Sequence, residues 1–479
     1  MRISAWAGLH NRQAELDFVD IDTDEDTRLF VDPYAIDIRD DAWSAQCSLH
    51  LRSFFNALIT ALRRGEEARA AHLCSHLHEA GETFLGMSRG HPQGRGIGRD
   101  QASQLVEALR RSRAVETGLL SELAETELFI EGIGSDKISD LTINVIRGPL
   151  LSYTAEQARL WGMPLTQNVA LDPVWDPNRE DWVQAPRETI VVAGQPVLLV
   201  PKYSVRRILT LNSQEFYNHS MLGYLQREYL NAGQGLVKVL KSGDEVLRPF
   251  PKTDLKEMHP KSKPYLAEFA QQHPEVLKQY KEIAGAKGTL EPEDFDREFD
   301  EYAYARELAA RLPDIATGNA DASRYHSYCI GVLTFLFFPF LISPIKEHEI
   351  DQGRKRIDIT YTNSATDGFF FTALQSAQTR AIWVPVECKN YTKDVANPEL
   401  DQIEGRFSLV RGNLGMLCCR AFENRELFVQ RCRDAALHRG HYVLAFCDDD
   451  LLQMLRNVAE GRRAENDALL RRRYGELIA

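Results

Sequence analysis

The pattern of hydrophobic residues changes at a short polar linker, Gly318 to Ser323, and this change constrains the fold more than any other feature of the sequence. After the linker, short apolar segments alternate with segments of helical periodicity. Such an alternation predicts an α/β domain with a central mixed sheet. The strands are predicted at Ile345–Ile350, Arg356–Thr362, Ala381–Lys389, Leu414–Cys419 and Tyr442–Phe446. The helices are predicted at Tyr325–Phe338, Pro398–Leu409, Glu426–His438 and from Leu451 onward.

The chain of 479 residues is long enough for two or three domains, each with a core of its own. Residues 1–195 predict a mixed α+β N-terminal domain of unknown role, with strands at Phe18–Asp22 and Arg28–Asp32 and a helix at Leu51–Ala71. From about Ser213 to Leu312 the chain is rich in Lys and Glu and poor in β-branched residues, which predicts a mostly helical connector or middle domain over residues 196–320. Residues 321–479 form the third predicted domain and contain the mixed sheet, so the whole chain is α+β.

The sequence indicates a cytoplasmic protein. Residues 1–17 lack the basic and apolar stretches of a signal peptide. The longest apolar run, Cys329 to Ile342, is shorter than the roughly 18 residues that cross a bilayer. The eight cysteines form no Cys-x-x-Cys pair and mostly lie in apolar segments, as is typical of reduced core residues. We therefore expect no membrane partner.

The formal charge of −12 disfavours a general attraction to nucleic acid, because such attraction depends on a basic surface. The acidity is uneven, however. Residues 321–479 contain 21 Lys and Arg against 21 Asp and Glu, which leaves 36 against 48 for residues 1–320. The C-terminal part is thus neutral, and nucleic acid is not excluded there. We expect the acidic N-terminal part to face a protein partner or activator, or to restrain access to a site.

Acidic and basic residues meet on two neighbouring predicted strands. Asp358 lies inside one strand, and Glu387 and Lys389 lie two residues apart at the end of the next. Residues two apart share a face of a strand, so Glu387 and Lys389 project together. Buried acids without a cation are costly, and a hard divalent ion such as Mg²⁺ removes that cost. A lysine beside the ion is suited to orient a water or to stabilise charge on a phosphate.

These residues resemble the PD-(D/E)XK nuclease superfamily, whose signature is a strand Asp followed by Glu-x-Lys on the next strand. The resemblance covers roughly residues 321–455 and implies a restriction-endonuclease-like sheet. It further implies that Asp358 and Glu387 hold Mg²⁺, with Mn²⁺ as an alternative, and that Lys389 assists the attacking water. The main-chain carbonyl of Cys388 is a further expected metal ligand. Glu347 is favoured over Glu349 as an additional acid.

The predicted helix after the signature carries further candidates. Leu400, Ile403 and Phe407 fall on one helical face, whereas Gln402 and Arg406 fall on another. Many members of the superfamily place a Gln or a basic residue on this helix beside the metal. The resemblance therefore implies a catalytic role for Gln402 and a phosphate contact for Arg406. The other expected nucleic-acid contacts are Lys355, Arg356 and Arg411.

The sequence thus predicts a Mg²⁺-dependent nuclease, and DNA is the favoured substrate. Residues 1–320 are then a sensing or regulatory region. Analogy suggests a prokaryotic restriction or antiphage role. A catalytically inactive nucleic-acid-binding or scaffold protein with the same fold is the alternative. The structural alternative is that Asp358, Glu387 and Lys389 form an ordinary strand-end salt bridge in a domain without catalysis, but the strand context and the helix with Gln402 favour the nuclease. Substrate specificity, DNA against RNA, and a homo-oligomeric state stay open.

Overall fold

A computed structural model describes residues 1–86, 106–116, 118–184, 186–239, 245–346, 359–391, 395 and 397–479. The chain is mixed α+β, and five strands of the C-terminal part form one sheet flanked by helices. This confirms the predicted fold class. In the described part of the chain, no helix combines the length and apolar character needed to cross a membrane.

The first 212 residues are mainly helical around small sheets. The helices are α1 (Ile3–Trp6), α2 (Pro33–Asp37), α3 (Ala42–Arg63), α4 (Glu67–Cys74), α5 (Arg113–Glu116), α6 (Thr126–Phe129), α7 (Ser135–Val145) and α8 (Arg147–Trp161). The strands are β1 (Phe30–Val31), β2 (Thr166–Val169), β3 (Val174–Asp176), β4 (Asp181–Val183), β5 (Arg187–Val192), β6 (Gln195–Val197) and β7 (Val205–Arg206).

Two predictions for this region are corrected. The predicted strand Phe18–Asp22 forms only isolated bridges, one of which joins Phe18 to Pro201, because its neighbours belong to separate short segments. The predicted helix Leu51–Ala71 is two helices, α3 and α4, separated by a turn at Gly65, whose φ of 68° suits glycine.

The middle of the chain is mostly helical, as predicted, with one β-hairpin. Its helices are α9 (Ser213–Glu215), a π-helix (Phe216–Met221), α10 (Leu222–Asn231), α11 (Lys252–Met258), α12 (Lys263–Gln272), α13 (Pro274–Gly285), α14 (Pro292–Phe295) and α15 (Glu301–Arg311). The hairpin strands are β8 (Leu236–Val239) and β9 (Glu245–Arg248).

The C-terminal sheet has the strand order β10-β11-β12-β13-β14. Its strands are β10 (Leu341–Ile345), β11 (Ile359–Asn363), β12 (Trp383–Lys389), β13 (Leu414–Cys419) and β14 (Tyr442–Cys447). Its helices are α16 (Ala322–Phe337), α17 (Gly368–Gln375), α18 (Asn397–Glu404), α19 (Arg425–Arg439), α20 (Asp448–Ala459) and α21 (Glu465–Ile478). β10, β11 and β12 pair antiparallel, whereas β12, β13 and β14 are parallel. The carboxyl ends of the three parallel strands therefore meet at one edge.

One expectation for this sheet needs correction. The first strand begins at Leu341, four residues before its predicted start at Ile345, because the apolar run behind α16 continues directly into it, and the predicted residues 347–350 lie outside the described residues. The segment between β11 and β12 contains the helix α17, whose Phe369 and Phe370 are buried.

The edge strand β10 is covered by the N-terminal part of the chain, which removes an exposed sheet edge. Gln157 of α8 donates to the carbonyl oxygen of Pro344 (3.0 Å). The main-chain N–H of Ser343 donates to the buried carboxylate of Asp17 (3.0 Å), which also accepts from the Tyr153 hydroxyl (2.7 Å). Polar contacts in a buried setting thus join the N-terminal part to the sheet.

Candidate active site at the end of strand β12

The candidate site begins with the alternation of side chains along β12. Val384 and Val386 are fully buried, and Cys388 follows them on the same face. The thiol of Cys388 contacts those of Cys329 in α16 and Cys418 in β13, and these contacts together with burial raise its pKa well above the usual value. Glu387 and Lys389 project from the opposite face, as their spacing predicts.

Glu387 and Lys389 form an ion pair away from bulk water. Glu387 is 1% exposed, and the side chain of Lys389 is 12% exposed. The Lys389 ammonium donates to Oε1 of Glu387 and to Oε1 of Gln402, the latter at 3.2 Å. It also lies 5.8 Å from the centre of the Tyr391 ring. The structure thus brings together three residues that the sequence selected.

Helix α18 places Gln402 over this face of the sheet. Its Leu400 and Ile403 are buried at 3% and 1% exposure. The helix approaches β13 closely at Gly415, where an added Cβ would lie 3.0 Å from Cδ1 of Ile403. A side chain at this position would push the helix away, so glycine sets the distance between α18 and the sheet. Gln402 lies one residue before Ile403 and faces Lys389.

Four predicted site residues lie outside the described residues: Glu347, Lys355, Arg356 and Asp358. Their assignments remain predictions. The described part of β11 begins at Ile359, which follows Asp358 in sequence and pairs with Val386, the residue before Glu387.

Two predicted phosphate contacts lie in unexpected places. Arg406 is 4% exposed, and this burial gives its guanidinium no open path to a nucleic acid. Arg411 lies 5.3 Å from the ring centre of Trp383, and its carbonyl oxygen accepts from the Trp383 N–H. Trp383 begins β12, so it lies about 13 Å along the strand from Glu387 at roughly 3.3 Å per residue. Arg411 therefore lies near the amino end of β12, opposite the end that carries Glu387 and Lys389.

The donors at the strand end suit a hard cation in part. Among the described residues, no three or more His, Cys, Asp or Glu side chains form a group that could hold a metal ion. The predicted ligand set, however, needs Asp358. Glu387 supplies a buried carboxylate, the ligand type that Mg²⁺ prefers, and its burial makes a neighbouring cation favourable. Asp358 and the Cys388 carbonyl remain predicted ligands.

The ends of the next two strands carry residues that the sequence reasoning missed. Arg420 follows β13, and its Nε lies 2.8 Å from the carboxylate of Asp448, the first residue of α20. Burial raises the pKa of Asp448 to about 6. Both residues line a cleft of about 480 Å³ together with Arg425 and Leu452. Their position directly after predicted strands was a usable signal, because carboxyl ends of parallel strands share one edge.

Comparison with known proteins adds one match. Residues 8–212 match the family model described as a domain of unknown function, DUF8370. The matched segment ends well before the sheet that carries Glu387 and Lys389. No curated protein and no solved structure matches the chain.

Proposed function

We propose that this protein is a metal-dependent nuclease that hydrolyses phosphodiester bonds in DNA, with its site at the carboxyl end of β12. The observation that carries the proposal is the buried pair of Glu387 and Lys389, with Lys389 also bonded to Gln402. The pair lies at the edge of the sheet where the carboxyl ends of the parallel strands β12, β13 and β14 meet. The resemblance to the PD-(D/E)XK signature rests on Glu387 and Lys389 together with Asp358, which lies outside the described residues.

Burial supports a functional role over a structural ion pair. A surface pair costs little to keep, whereas transfer of two charges out of water costs several kcal/mol per ion before their attraction is counted. Glu387 is 1% exposed, so this cost applies to it almost fully. A site that binds a cation and a phosphate gives a reason for keeping such charges, whereas an inactive scaffold does not require them.

Each residue has a chemical role in this proposal. Glu387 would hold Mg²⁺ together with Asp358. When bound, Mg²⁺ would polarise a phosphate oxygen and lower the pKa of a coordinated water. Lys389 would orient the attacking water and stabilise negative charge on the phosphate. Gln402 holds the Lys389 ammonium in place through its amide oxygen. The water oxygen would form a new bond to phosphorus and release a proton to solvent, while the phosphorus–oxygen ester bond breaks and the leaving oxygen takes up a proton from solvent.

The remainder of the chain would regulate or direct this activity. Residues 1–320 carry the excess of acidic residues and include the segment matched by the DUF8370 model. We propose that they sense a partner or an activating signal in the cytoplasm, as in restriction or antiphage defence. This part of the proposal rests on the arrangement of a large additional region beside a nuclease-like sheet, which is an argument by analogy.

A cleavage assay tests the proposal. Full-length protein is incubated with supercoiled plasmid, linear duplex DNA and RNA, in Mg²⁺, Mn²⁺ or EDTA. We expect metal-dependent DNA cleavage that falls by about 10²-fold or more in Lys389→Ala and in Asp358→Ala. Lys256→Ala, which removes an exposed lysine of α11, is the matched control. Cleavage in EDTA, or cleavage that survives both site substitutions, contradicts the proposal.

A further inference from the structure

The linker between α15 and α16, residues 312–321, is hydrogen-bonded to Asn390, the residue that directly follows Lys389. Asn390 is buried at 6% exposure. Its side-chain Nδ2 donates to the carbonyl oxygens of Ala316 (2.9 Å) and Gly318 (2.8 Å). Its own carbonyl oxygen accepts from the N–H of Gly318 (2.8 Å). Three hydrogen bonds therefore fix the end of β12 to this linker.

The same linker is tied to the end of the neighbouring strand. Nη1 of Arg420 donates to the carbonyl oxygen of Ile315 (2.8 Å). Arg420 is held in turn by the carboxylate of Asp448, which also accepts from the Tyr325 hydroxyl (3.0 Å). The Arg420 guanidinium lies 5.0 Å from the centre of the Tyr325 ring. Residues 315–318 thus run across the carboxyl ends of two parallel strands.

The position of these bonds matters because of how β12 is paired. Glu387, Cys388 and Lys389 pair with β13, and this ladder ends at Lys389. Asn390 lies directly after the last pair, so its bonds to the linker hold the strand end where the ladder stops.

We infer that Asn390 is a positioning residue for the Lys389 ammonium. It keeps the end of β12 in the place where Lys389 reaches both Glu387 and Gln402. Because the linker follows α15, these bonds also join the strand end to the segment that leads from α15. This inference rests on the proposed nuclease function, since positioning matters only if Lys389 acts in the reaction.

The chemistry of the side chain makes the inference specific. Among side chains of this length, only the amide of Asn can donate two N–H groups to two carbonyl oxygens. Ala removes both donors, and Asp places a carboxylate against two carbonyl oxygens. Asn413, at the opposite end of the parallel strands, offers a control for the loss of a single amide bond, because its Nδ2 donates to one carbonyl oxygen, that of Gln378 (3.3 Å).

Steady-state cleavage kinetics of the full chain test the inference. In Asn390→Ala we expect kcat to fall by about 10- to 100-fold, as for a small displacement of a reacting group, with KM within about twofold of wild type. Asn413→Ala should retain wild-type kcat. A kcat for Asn390→Ala within about twofold of wild type overturns the inference, and so does an equal loss in Asn413→Ala. If Asn390→Ala does not fold, Arg420→Lys perturbs the same linker, and the same criteria apply.

A second readout does not depend on cleavage. Acetylation of Lys389 is followed by mass spectrometry in wild type, Asn390→Ala and Asn413→Ala. We expect the acetylation rate to rise about threefold or more in Asn390→Ala alone, because the strand end opens more often. If wild type cleaves no DNA, the proposed function fails, and this rate alone decides whether Asn390 positions Lys389. An unchanged rate then overturns the inference.

Discussion

The double substitution Glu387→Gln with Lys389→Met is expected to leave the stability of the protein unchanged or higher, whereas Lys389→Met alone lowers it. The pair is buried and carries two opposite charges. Removing only the lysine takes away the cation that contacts a carboxylate exposed by 1%. Removing both charges takes away the desolvation cost together with the attraction.

The size of the effect follows from this burial. Loss of one partner from a buried ion pair costs about 3 to 5 kcal/mol. The lower end applies here, since 12% of the Lys389 side chain reaches solvent. For a folding unit the size of the C-terminal part, 1 kcal/mol corresponds to about 2 to 4 °C, so Tm should fall by about 6 °C or more. The double variant should lie between no change and a gain of about 4 kcal/mol.

Thermal unfolding of the wild type, both single variants and the double variant measures this cycle in one buffer without divalent metal. The account predicts that the two single losses do not add. Because the double variant is at least as stable as wild type, the coupling is the sum of the two single losses or more, about 3 kcal/mol or larger. A double variant less stable than either single variant would show that the pair is structural. In that case the stability argument for a catalytic site would be wrong.

Three further predictions concern other parts of the chain. Burial and the Asp136 carboxylate raise the pKa of Asp140 to about 7. Because the folded state disfavours the ionised form of Asp140, wild type loses stability as pH rises from about 4 to 7. Asp140→Asn should therefore raise Tm at pH 8 but not below pH 4. Asp17→Ala removes a carboxylate that accepts from Ser343 N–H, so Tm should fall by about 4 °C or more. Gln402→Ala should lower kcat by about tenfold at unchanged KM.

Controls distinguish these effects from general damage. An equal rise in Tm at both pH values would contradict the titration of Asp140. Asp24, which is exposed, is the control for Asp17, and an equal loss in Asp24→Ala would remove the role of the buried contact. For Gln402→Ala, a fall in DNA affinity without a fall in kcat would contradict the proposal that Gln402 acts by holding Lys389 in place.

Much of the C-terminal sheet could be predicted because its signals are local. β13 has the predicted bounds, Leu414 to Cys419, since its six buried residues are followed by Arg420. β10 begins four residues before its predicted start, because a continuous apolar run hides the boundary between a buried helix and a buried strand. The hairpin β8–β9 was missed within a polar segment.

The candidate site, too, is predictable where local patterns set it and not where tertiary packing does. Glu387 and Lys389 share a face because strand alternation is local, and Gln402 meets them from the next helix. The burial of Arg406 depends on how α18 packs on the sheet, which its own spacing does not specify. The bonds between Asn390 and the linker join residues more than 70 apart in sequence, and no local pattern marks them.

Metal binding at Glu387 tests the central claim most directly. Crystals of the full chain would be soaked in Mn²⁺, and anomalous scattering recorded at its absorption edge. The account predicts a peak at direct coordination distance, about 2.1 Å, from a Glu387 carboxylate oxygen and close to Asp358, and no peak in Glu387→Gln. If saturating Mn²⁺ leaves no peak there while Lys389 keeps its bond to Glu387, the metal-dependent site is contradicted.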